Sequence, residues 1–255
     1  MTEKQQEALR EYDEDDRVLS SLEFHLKLSK ETRKGVHVLS LIPSLDGAIE
    51  GFQEGELIVI SGPTKNGKTL LAQSLTVNFI FQQYYPLWFS YEVPAKQFLS
   101  QFPDLPNFYM PAKLKAHALN WLEDRAMESF LKYHTRIIFI DHLHFLFDMA
   151  KTRNPSIEIG TIIRRLKTFA VTNGFIIFLL AHTRKGKADK NFSFEDIRDS
   201  SFVAQESDTV FLIGRTPDRG ENTAQMRVEF HRRTGCLEKV IDLAKVNGYL
   251  KEKIK

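Results

Sequence analysis

Cysteine is almost absent from this sequence, whose 255 residues include only Cys236. A disulfide within the chain or a cysteine-based zinc site needs at least two cysteines, so both are excluded. Long apolar runs are also missing, because the longest, residues 175–181, is far too short to cross a bilayer. The N-terminus has no apolar signal-like stretch, and its first sixteen residues are rich in acidic side chains. These absences predict a soluble protein of the cytoplasm, or of the host cytoplasm if the source is a virus.

A large net charge is missing too. The chain has 35 Lys and Arg against 33 Asp and Glu, a formal charge of +2. No global field therefore attracts a nucleic acid or a membrane, and an anionic partner has to be held locally. With 42% hydrophobic residues, a chain of this length buries roughly 70–75% of the surface that its unfolded form exposes. These figures predict one large domain with a core of its own.

The first 34 residues differ in pattern from the rest. They are polar and charged, with Leu19, Leu22, Leu26 and Leu28 at helical spacing. This pattern is typical of a short amphipathic arm, and two interpretations are equally compatible with it. The helix can lie solvated on its own domain, or it can pack on a neighbouring subunit. No internal repeat or low-complexity linker follows, so we predict an arm over 1–34 and one larger domain over 35–255.

Short apolar runs that alternate with longer amphipathic stretches predict the α/β class. Strands buried on both faces have continuous apolar sequences, and strands separated by helices form parallel sheets. Helices are predicted over 68–83, 116–133 and 156–173. The last three runs lack long helices between them, which indicates antiparallel strands at one edge. The seven predicted strands cover residues 57–60, 87–89, 137–140, 175–180, 210–213, 226–230 and 240–243.

A phosphate-binding loop follows the first of these runs and has the pattern G-x-x-x-x-G-K-[ST]. Its glycines let backbone N–H groups surround phosphates, and the helix that follows adds positive potential. The lysine reaches the β and γ phosphates and the threonine binds Mg²⁺. The motif predicts a site for ATP or another nucleoside triphosphate with Mg²⁺. Its residues are Gly62, Pro63, Thr64, Lys65, Asn66, Gly67, Lys68 and Thr69.

Two carboxylates follow later predicted strands. Asp141 ends the run 137–140, the place where P-loop enzymes carry an acid that helps to hold Mg²⁺. Glu92 comes just after the run 87–89, at the sheet edge where α/β proteins bind ligands, and is the candidate to activate water. On its own, Glu92 is more typical of an exposed loop carboxylate than of a catalytic residue. His142 and His144 flank Asp141, but with no cysteine nearby we do not interpret them as a zinc pair.

Several short segments keep a fixed order after the phosphate-binding loop. Together they resemble the RecA-like motor domain of ring-forming replicative helicases of the DnaB type, with the phage T7 and mitochondrial Twinkle branch as the most similar. The resemblance runs from about residue 41 to residue 250. It implies a RecA-like P-loop ATPase that unwinds DNA as a hexameric ring on single-stranded DNA, with a separate primase or loader as a further partner. The segments are residues 89–94, 140–146, 181–185, 196–200, 205–208 and 231–235.

The resemblance also implies roles for single residues. Glu92 matches the catalytic glutamate of the family and Asp141 its second Mg²⁺ ligand. His182 matches the position that senses the γ-phosphate, where DnaB-type proteins usually have Gln and the T7-like branch has His. Arg215 matches a residue beside the nucleotide base.

Arg233 matches the arginine finger, which reaches the nucleotide of the neighbouring subunit. The family pattern Lys-x-Arg occurs here as His231, Arg232 and Arg233. This difference leaves open which arginine is the finger, and whether His231 or Arg232 replaces the lysine. Arg232 is therefore included among the predicted nucleotide-binding residues.

A basic loop after His182 resembles the channel loop that holds single-stranded DNA in this family, with basic side chains on phosphates. A solvated surface loop would have the same composition. Two other functions also fit a RecA-like ATPase: a filament that anneals or recombines single strands, and a regulatory ATPase that binds no DNA. The motif at 205–208 favours the helicase. The predicted DNA contacts are Arg184, Lys185, Lys187, Lys190 and Arg198.

Overall fold

The computed structural model describes residues 1–30, 35–146, 155–182, 203, 205–216, 220 and 222–253. Contacts within the chain divide it into two compact units, Met1–Gly35 and Val36–Lys255. Among the described residues, no helix combines the length and the apolar character needed to cross a bilayer.

The N-terminal unit contains two helices, α1 (Glu3–Arg10) and α2 (Ser21–Lys30). A capping box begins α1, in which the Thr2 amide donates to the Gln5 side chain and the Gln5 amide donates to the Thr2 hydroxyl. No residue of either helix is buried. Helix α2 carries three of the four leucines of the predicted arm, and all three, Leu22, Leu26 and Leu28, are exposed.

The larger unit is built on an eight-stranded sheet with the order β10-β9-β8-β7-β3-β6-β5-β4. The five strands from β7 to β4 are parallel, whereas β8, β9 and β10 pair antiparallel at one edge. The predicted α/β class and its antiparallel edge are confirmed. The eight strands are β3 (Leu57–Gly62), β4 (Leu87–Ser90), β5 (Ile137–Asp141), β6 (Ile176–His182), β7 (Thr209–Arg215), β8 (Thr223–His231), β9 (Cys236–Val246) and β10 (Tyr249–Glu252).

Helices cover both faces of this sheet. A two-stranded antiparallel ribbon precedes it, formed by β1 (His37–Val38) and β2 (Phe52–Gln53). A short 3₁₀ turn, Leu143–Leu146, follows β5. The helices of this unit are α3 (Pro43–Ile49), α4 (Lys68–Phe81), α5 (Ala95–Leu99), α6 (Leu119–Tyr133) and α7 (Pro155–Asn173).

The side chains of alternate residues of β3 pack into two separate apolar cores. Ile58 and Ile60 pack with α4 in one apolar cluster, and Leu57 and Val59 pack with α6 and α7 in the other. Every residue of β3 is buried, which explains why residues 57–60 form a continuous apolar run. Full burial of one such side chain contributes about 1.5–3 kcal/mol. The two cores thereby fix the position of the loop that follows β3.

Two predicted helices end or begin at different residues in the structure. The helix predicted over 116–133 begins only at Leu119, because His117 has a left-handed backbone with φ +55°. The helix predicted over 68–83 ends at Phe81, since Gln83 is also left-handed, with φ +68°.

Candidate active site

The phosphate-binding loop connects β3 to α4 at the carboxyl edge of the parallel strands. Gly62 has φ +153°, and a Cβ atom there would lie 2.2 Å from the carbonyl oxygen of Ile213 on β7. Gly67 caps α4 with φ +97°. Only glycine tolerates both the close approach and the left-handed backbone. The loop therefore presents the N-terminus of α4 to an anion.

Lys68, the first residue of α4, is 6% exposed. Its ammonium donates to the carbonyl oxygens of Gly62 at 2.8 Å and Pro63 at 3.0 Å. Burial lowers the pKa of Lys68 to about 8, against the opposing effect of the negative charges of Glu92 and Asp141. A lysine at this pKa is mostly protonated at pH 7, so the loop encloses a positive charge.

The Thr69 hydroxyl donates to Oδ2 of Asp141 at 2.9 Å. Asp141 ends β5 and is 2% exposed. Burial raises the pKa of Asp141 to about 6, although the hydrogen bond from Thr69 acts in the opposite direction. A hydroxyl and a carboxylate oxygen at this separation fit the oxygen preference of Mg²⁺.

Glu92 follows β4 on the same edge, and its side chain is 41% exposed. The amide of the preceding Tyr91 donates to the carbonyl oxygen of Asp141 at 2.7 Å, which joins the ends of β4 and β5. Oε2 of Glu92 lies 4.0 Å from Nδ1 of His142. An exposed carboxylate in this position can contact water beside the buried Asp141.

His182 ends β6, and its backbone pairs with Gly62 on β3. Its ring centroid lies 4.3 Å from that of His142. Burial lowers the pKa of His182 to about 4 and that of His142 to about 3. Both imidazoles are therefore neutral at pH 7, each with one nitrogen that can accept a hydrogen bond. The sequence analysis did not predict that the rings of His142 and His182 lie next to each other.

Arg215 is the last residue of β7, which pairs with β3 on the side opposite to β6. It therefore lies across the loop from His182. Its backbone amide donates to Oδ1 of Asn66 at 2.9 Å. Thr64 and Lys65 of the loop and the side chain of Arg215 beside it are exposed, so none of the three takes part in the core.

Arg232 and Arg233 lie near the amino ends of the parallel strands, at the end of the sheet opposite to the phosphate-binding loop. His231, which precedes them, pairs with Thr209 at the start of β7, and Thr209 pairs with Ile58 near the start of β3. Since the phosphate-binding loop follows the other end of β3, the structure does not bring either arginine to the loop of its own chain.

The Arg233 guanidinium is held within its own chain by four hydrogen bonds. It donates to Glu56 and Glu50, each at 3.2 Å, and to the carbonyl oxygens of Ile49 and Gly51 at 2.7 and 2.8 Å. The Arg232 side chain donates to the carbonyl oxygen of Gln205.

The family model of the DnaB-like helicase C-terminal domain matches residues 108–246, more than half of the 255-residue chain. The chain belongs to this family. The predicted relationship to DnaB-type motor domains is thereby confirmed.

Curated DnaB proteins align over most of this chain. The replicative DNA helicase DnaB of Pasteurella multocida is 24% identical over 224 residues, covering 71% of this chain and 46% of the relative. The DnaB of Helicobacter pylori is 24% identical over 226 residues, covering 74% and 46%. A probable replicative helicase of Guillardia theta is 37% identical over 79 residues, 31% of this chain and 13% of the relative. The chain thus spans about half the length of the DnaB relatives.

Solved structures share the fold of this DnaB-like chain. A DnaB-like replicative helicase, described with its interactions with primase, superposes with a TM-score of 0.74 at 18% identity, covering 96% of this chain and 70% of that one. A second solved structure, that of an ATPase domain, superposes with a TM-score of 0.74 at 17% identity, covering 91% of this chain and 97% of that one.

The predicted DNA contacts of this DnaB-like chain, from Arg184 to Lys190 and at Arg198, lie outside the residues that the structure describes. Among the described residues, the structure brings together the loop, Glu92, Asp141 and His182. Arg232 and Arg233 lie at the other end of the sheet, away from these residues. This arrangement can bind a nucleotide and an oxygen-preferring cation, and can position a water next to a carboxylate.

Proposed function

We propose that this chain is the ATP-hydrolysing motor of a DnaB-type replicative DNA helicase, moving on single-stranded DNA as a hexameric ring. The observation that carries the proposal is the contact of Thr69 with Asp141 beside the P-loop, with His182 in register with Gly62. These side chains come from three separate parts of the chain, and each matches a part of a P-loop ATPase site.

ATP would bind with its phosphates on the loop between β3 and α4. Backbone N–H groups and the N-terminus of α4 would face the phosphate oxygens. The Lys68 ammonium, which now donates to two loop carbonyls, would exchange these partners for the β and γ phosphates. Mg²⁺ held by Thr69 and Asp141 would neutralise phosphate charge as it develops.

Hydrolysis would use Glu92 to orient and deprotonate the attacking water. His182 is neutral and lies beside the first residue of the loop, so the N–H of its ring can donate a hydrogen bond to the γ-phosphate. A histidine here, where DnaB-type proteins usually have Gln, supports placing the chain nearer to the T7 and Twinkle branch.

An arginine of the neighbouring subunit would complete each site. Arg232 and Arg233 lie at the edge of the sheet remote from their own loop, which suits a role in trans. The resemblance assigns the finger to Arg233, and the contacts of Arg233 with Glu50 and Glu56 mean that it has to exchange partners to act. Arg232 is the alternative finger.

DNA would pass through the centre of the ring, against Arg184, Lys185, Lys187, Lys190 and Arg198. Such a motor would act in the cytoplasm on replicating DNA, together with a separate primase or loader.

Electron microscopy with ATP and single-stranded DNA tests this proposal, alongside the ATPase rate with and without DNA. We expect closed six-fold rings and an ATPase rate that DNA raises. The Lys68→Ala variant, prepared in the same way, controls for a contaminating ATPase. Helical filaments would favour strand annealing instead, and turnover indifferent to DNA would favour a regulatory ATPase; either result contradicts the ring helicase.

A further inference from the structure

Three side chains meet at the carboxyl edge of the sheet: Glu92, His142 and His182. Each offers one ligand atom, and these atoms all lie within 4.8 Å of one another. They follow or end β4, β5 and β6, which are neighbours in the sheet. The strand order therefore fixes the two imidazoles next to each other, with the glutamate at their side.

Both histidines have an unused ring nitrogen. Nδ1 of His142 and Nδ1 of His182 are buried, and neither has a hydrogen-bond partner among the described residues. Buried polar atoms in folded proteins are nearly always partnered, and an exception points to a role for the group. Glu92 Oε2, at 4.0 Å from His142 Nδ1, is beyond hydrogen-bond distance.

We propose that Glu92, His142 and His182 form a binding site for a transition-metal ion of the Zn²⁺ or Co²⁺ class. Two imidazole nitrogens and one carboxylate are a donor set that such ions use at sites open to a further ligand. This donor set differs from the two oxygens of Thr69 and Asp141, which suit Mg²⁺. Magnesium prefers oxygen ligands, so it does not compete effectively for the imidazoles.

The geometry requires only a small closure around the ion. Ligands at about 2.0–2.2 Å from a tetrahedral zinc lie roughly 3.3–3.6 Å apart. The separations here reach at most 4.8 Å. Glu92 is the exposed member, on a loop after β4, so its side chain is free to rotate toward the two rings.

Occupancy of this site would stop ATP turnover, and this consequence rests on the proposed function. The ion would take the carboxylate that activates water and the ring that faces the γ-phosphate. Mg²⁺ and ATP would still bind through Lys68, Thr69 and Asp141. The site would thus make a Mg²⁺-dependent motor sensitive to inhibition by zinc.

Cobalt absorption tests the site without any dependence on catalysis. Co²⁺ is titrated into the full chain without nucleotide and in excess Mg²⁺, and the visible d–d bands are recorded. We expect saturable binding of one Co²⁺ per chain, displaced by Zn²⁺. His142→Ala and His182→Ala should each weaken binding at least about tenfold. Thr69→Ala, which removes an oxygen ligand of the other site, and His25→Ala, on the exposed helix α2, should leave it unchanged.

X-ray absorption of the zinc-loaded parent protein counts the imidazole ligands directly, so the conclusion does not depend on the variants folding. Two imidazoles per zinc support the site. No saturable cobalt spectrum in the parent, or a spectrum that only Thr69→Ala removes, would overturn it. If cobalt binds but the cobalt-free protein has no ATPase activity with Mg²⁺, the proposed function fails and the metal site stands. If ATP is hydrolysed but cobalt does not bind, the metal site alone fails.

Discussion

Thr69 donates its hydroxyl hydrogen to Asp141 across 2.9 Å, although 72 positions separate the two residues in the sequence. Thr69 lies in the first turn of α4, and Asp141 is the last residue of β5. Parallel strands carry their carboxyl ends to one edge, which brings the helix start and the strand end together. The proposed catalytic site depends on this convergence.

Lys68→Ala should abolish ATP hydrolysis and greatly weaken nucleotide binding. The ammonium donates hydrogen bonds to two loop carbonyls, and removing them should lower the unfolding free energy only slightly, by about 1 kcal/mol. Lys96→Ala, which removes an equal charge from an exposed position of α5, is the matched control. ATP turnover at the parent rate in Lys68→Ala would show that the nucleotide site lies elsewhere.

Glu92→Gln should leave ATP bound but uncleaved. The amide keeps the shape of the side chain and loses the base, so affinity for ATP should stay within a few-fold of the parent. Single-turnover hydrolysis and equilibrium ATP binding measure the two effects separately, and Glu158→Gln on the exposed start of α7 serves as the control. Cleavage by Glu92→Gln as fast as in the parent would mean that another group activates water.

Asp141→Asn should stabilise the protein at neutral pH when Mg²⁺ and nucleotide are absent. Burial raises the pKa of Asp141 from its ordinary 3.8 to about 6, so the folded state binds this proton more tightly than the unfolded chain. The contribution of Asp141 to stability therefore falls as pH rises from 4 to 6, and at pH 7 the ionised carboxylate costs up to about 3 kcal/mol.

The asparagine variant avoids this cost. Its advantage over the parent should be near zero below pH 4 and complete above pH 6, as measured by urea unfolding across that range. Added Mg²⁺ should stabilise the parent and not the variant, since only the parent keeps the charged ligand. An equal stability difference at every pH would contradict the buried, titrating carboxylate.

Much of the sheet could be predicted because its strands are continuous apolar runs. The short elements β1, β2, α3 and α5 carry too few residues for a periodic pattern. Strand β10 was not predicted, although the sequence contains a local signal for it. Asn247 and Gly248, with φ +51° and +87°, form a two-residue turn between β9 and β10. Asn-Gly is the preferred sequence for such a hairpin.

The sequence indicates which site residues lie at the ends of strands. It does not indicate which strands are neighbours in the sheet. Glu92 and Asp141 could be placed on one edge because each follows an apolar run. The proximity of His142 to His182 requires β5 and β6 to be neighbours, which no local pattern indicates. The contact of Arg233 with Glu56 joins residues 177 positions apart, so no local pattern indicates that the arginine is held within its own chain.

Replacing Lys185, Lys187 and Lys190 with Ala should weaken binding to single-stranded DNA and reduce its dependence on salt. Removing one basic side chain from a phosphate of a single strand lowers the slope of log K against log salt by roughly 0.7. Titrations of a fluorescent oligonucleotide at several salt concentrations give this slope.

A second triple variant provides the control for charge. Lys96, Lys113 and Lys115 are exposed on other parts of the chain, and their replacement with Ala removes the same charge from outside the predicted loop. Equal slopes for the two triple variants would indicate that residues 185–190 form an ordinary solvated loop.

Arg233→Ala has a structural effect that has to be separated from its catalytic one. It leaves Glu56, whose side chain is 9% exposed, without its guanidinium partner, and unfolding free energy should fall by about 1–3 kcal/mol. Arg232→Ala should cost less. Urea unfolding of both variants sets the conditions under which each remains folded and assembled.

Mixing two inactive variants tests the shared catalytic site most directly. Lys68→Ala lacks a working P-loop and Arg233→Ala lacks the finger, so an interface that joins the intact P-loop of one variant to the intact arginine of the other is complete. We predict that mixing restores part of the ATP turnover, and that Arg232→Ala, if inactive by itself, restores turnover in its place only if it is the finger. No restored turnover with either arginine variant, although mixed rings form, would contradict a site shared between subunits.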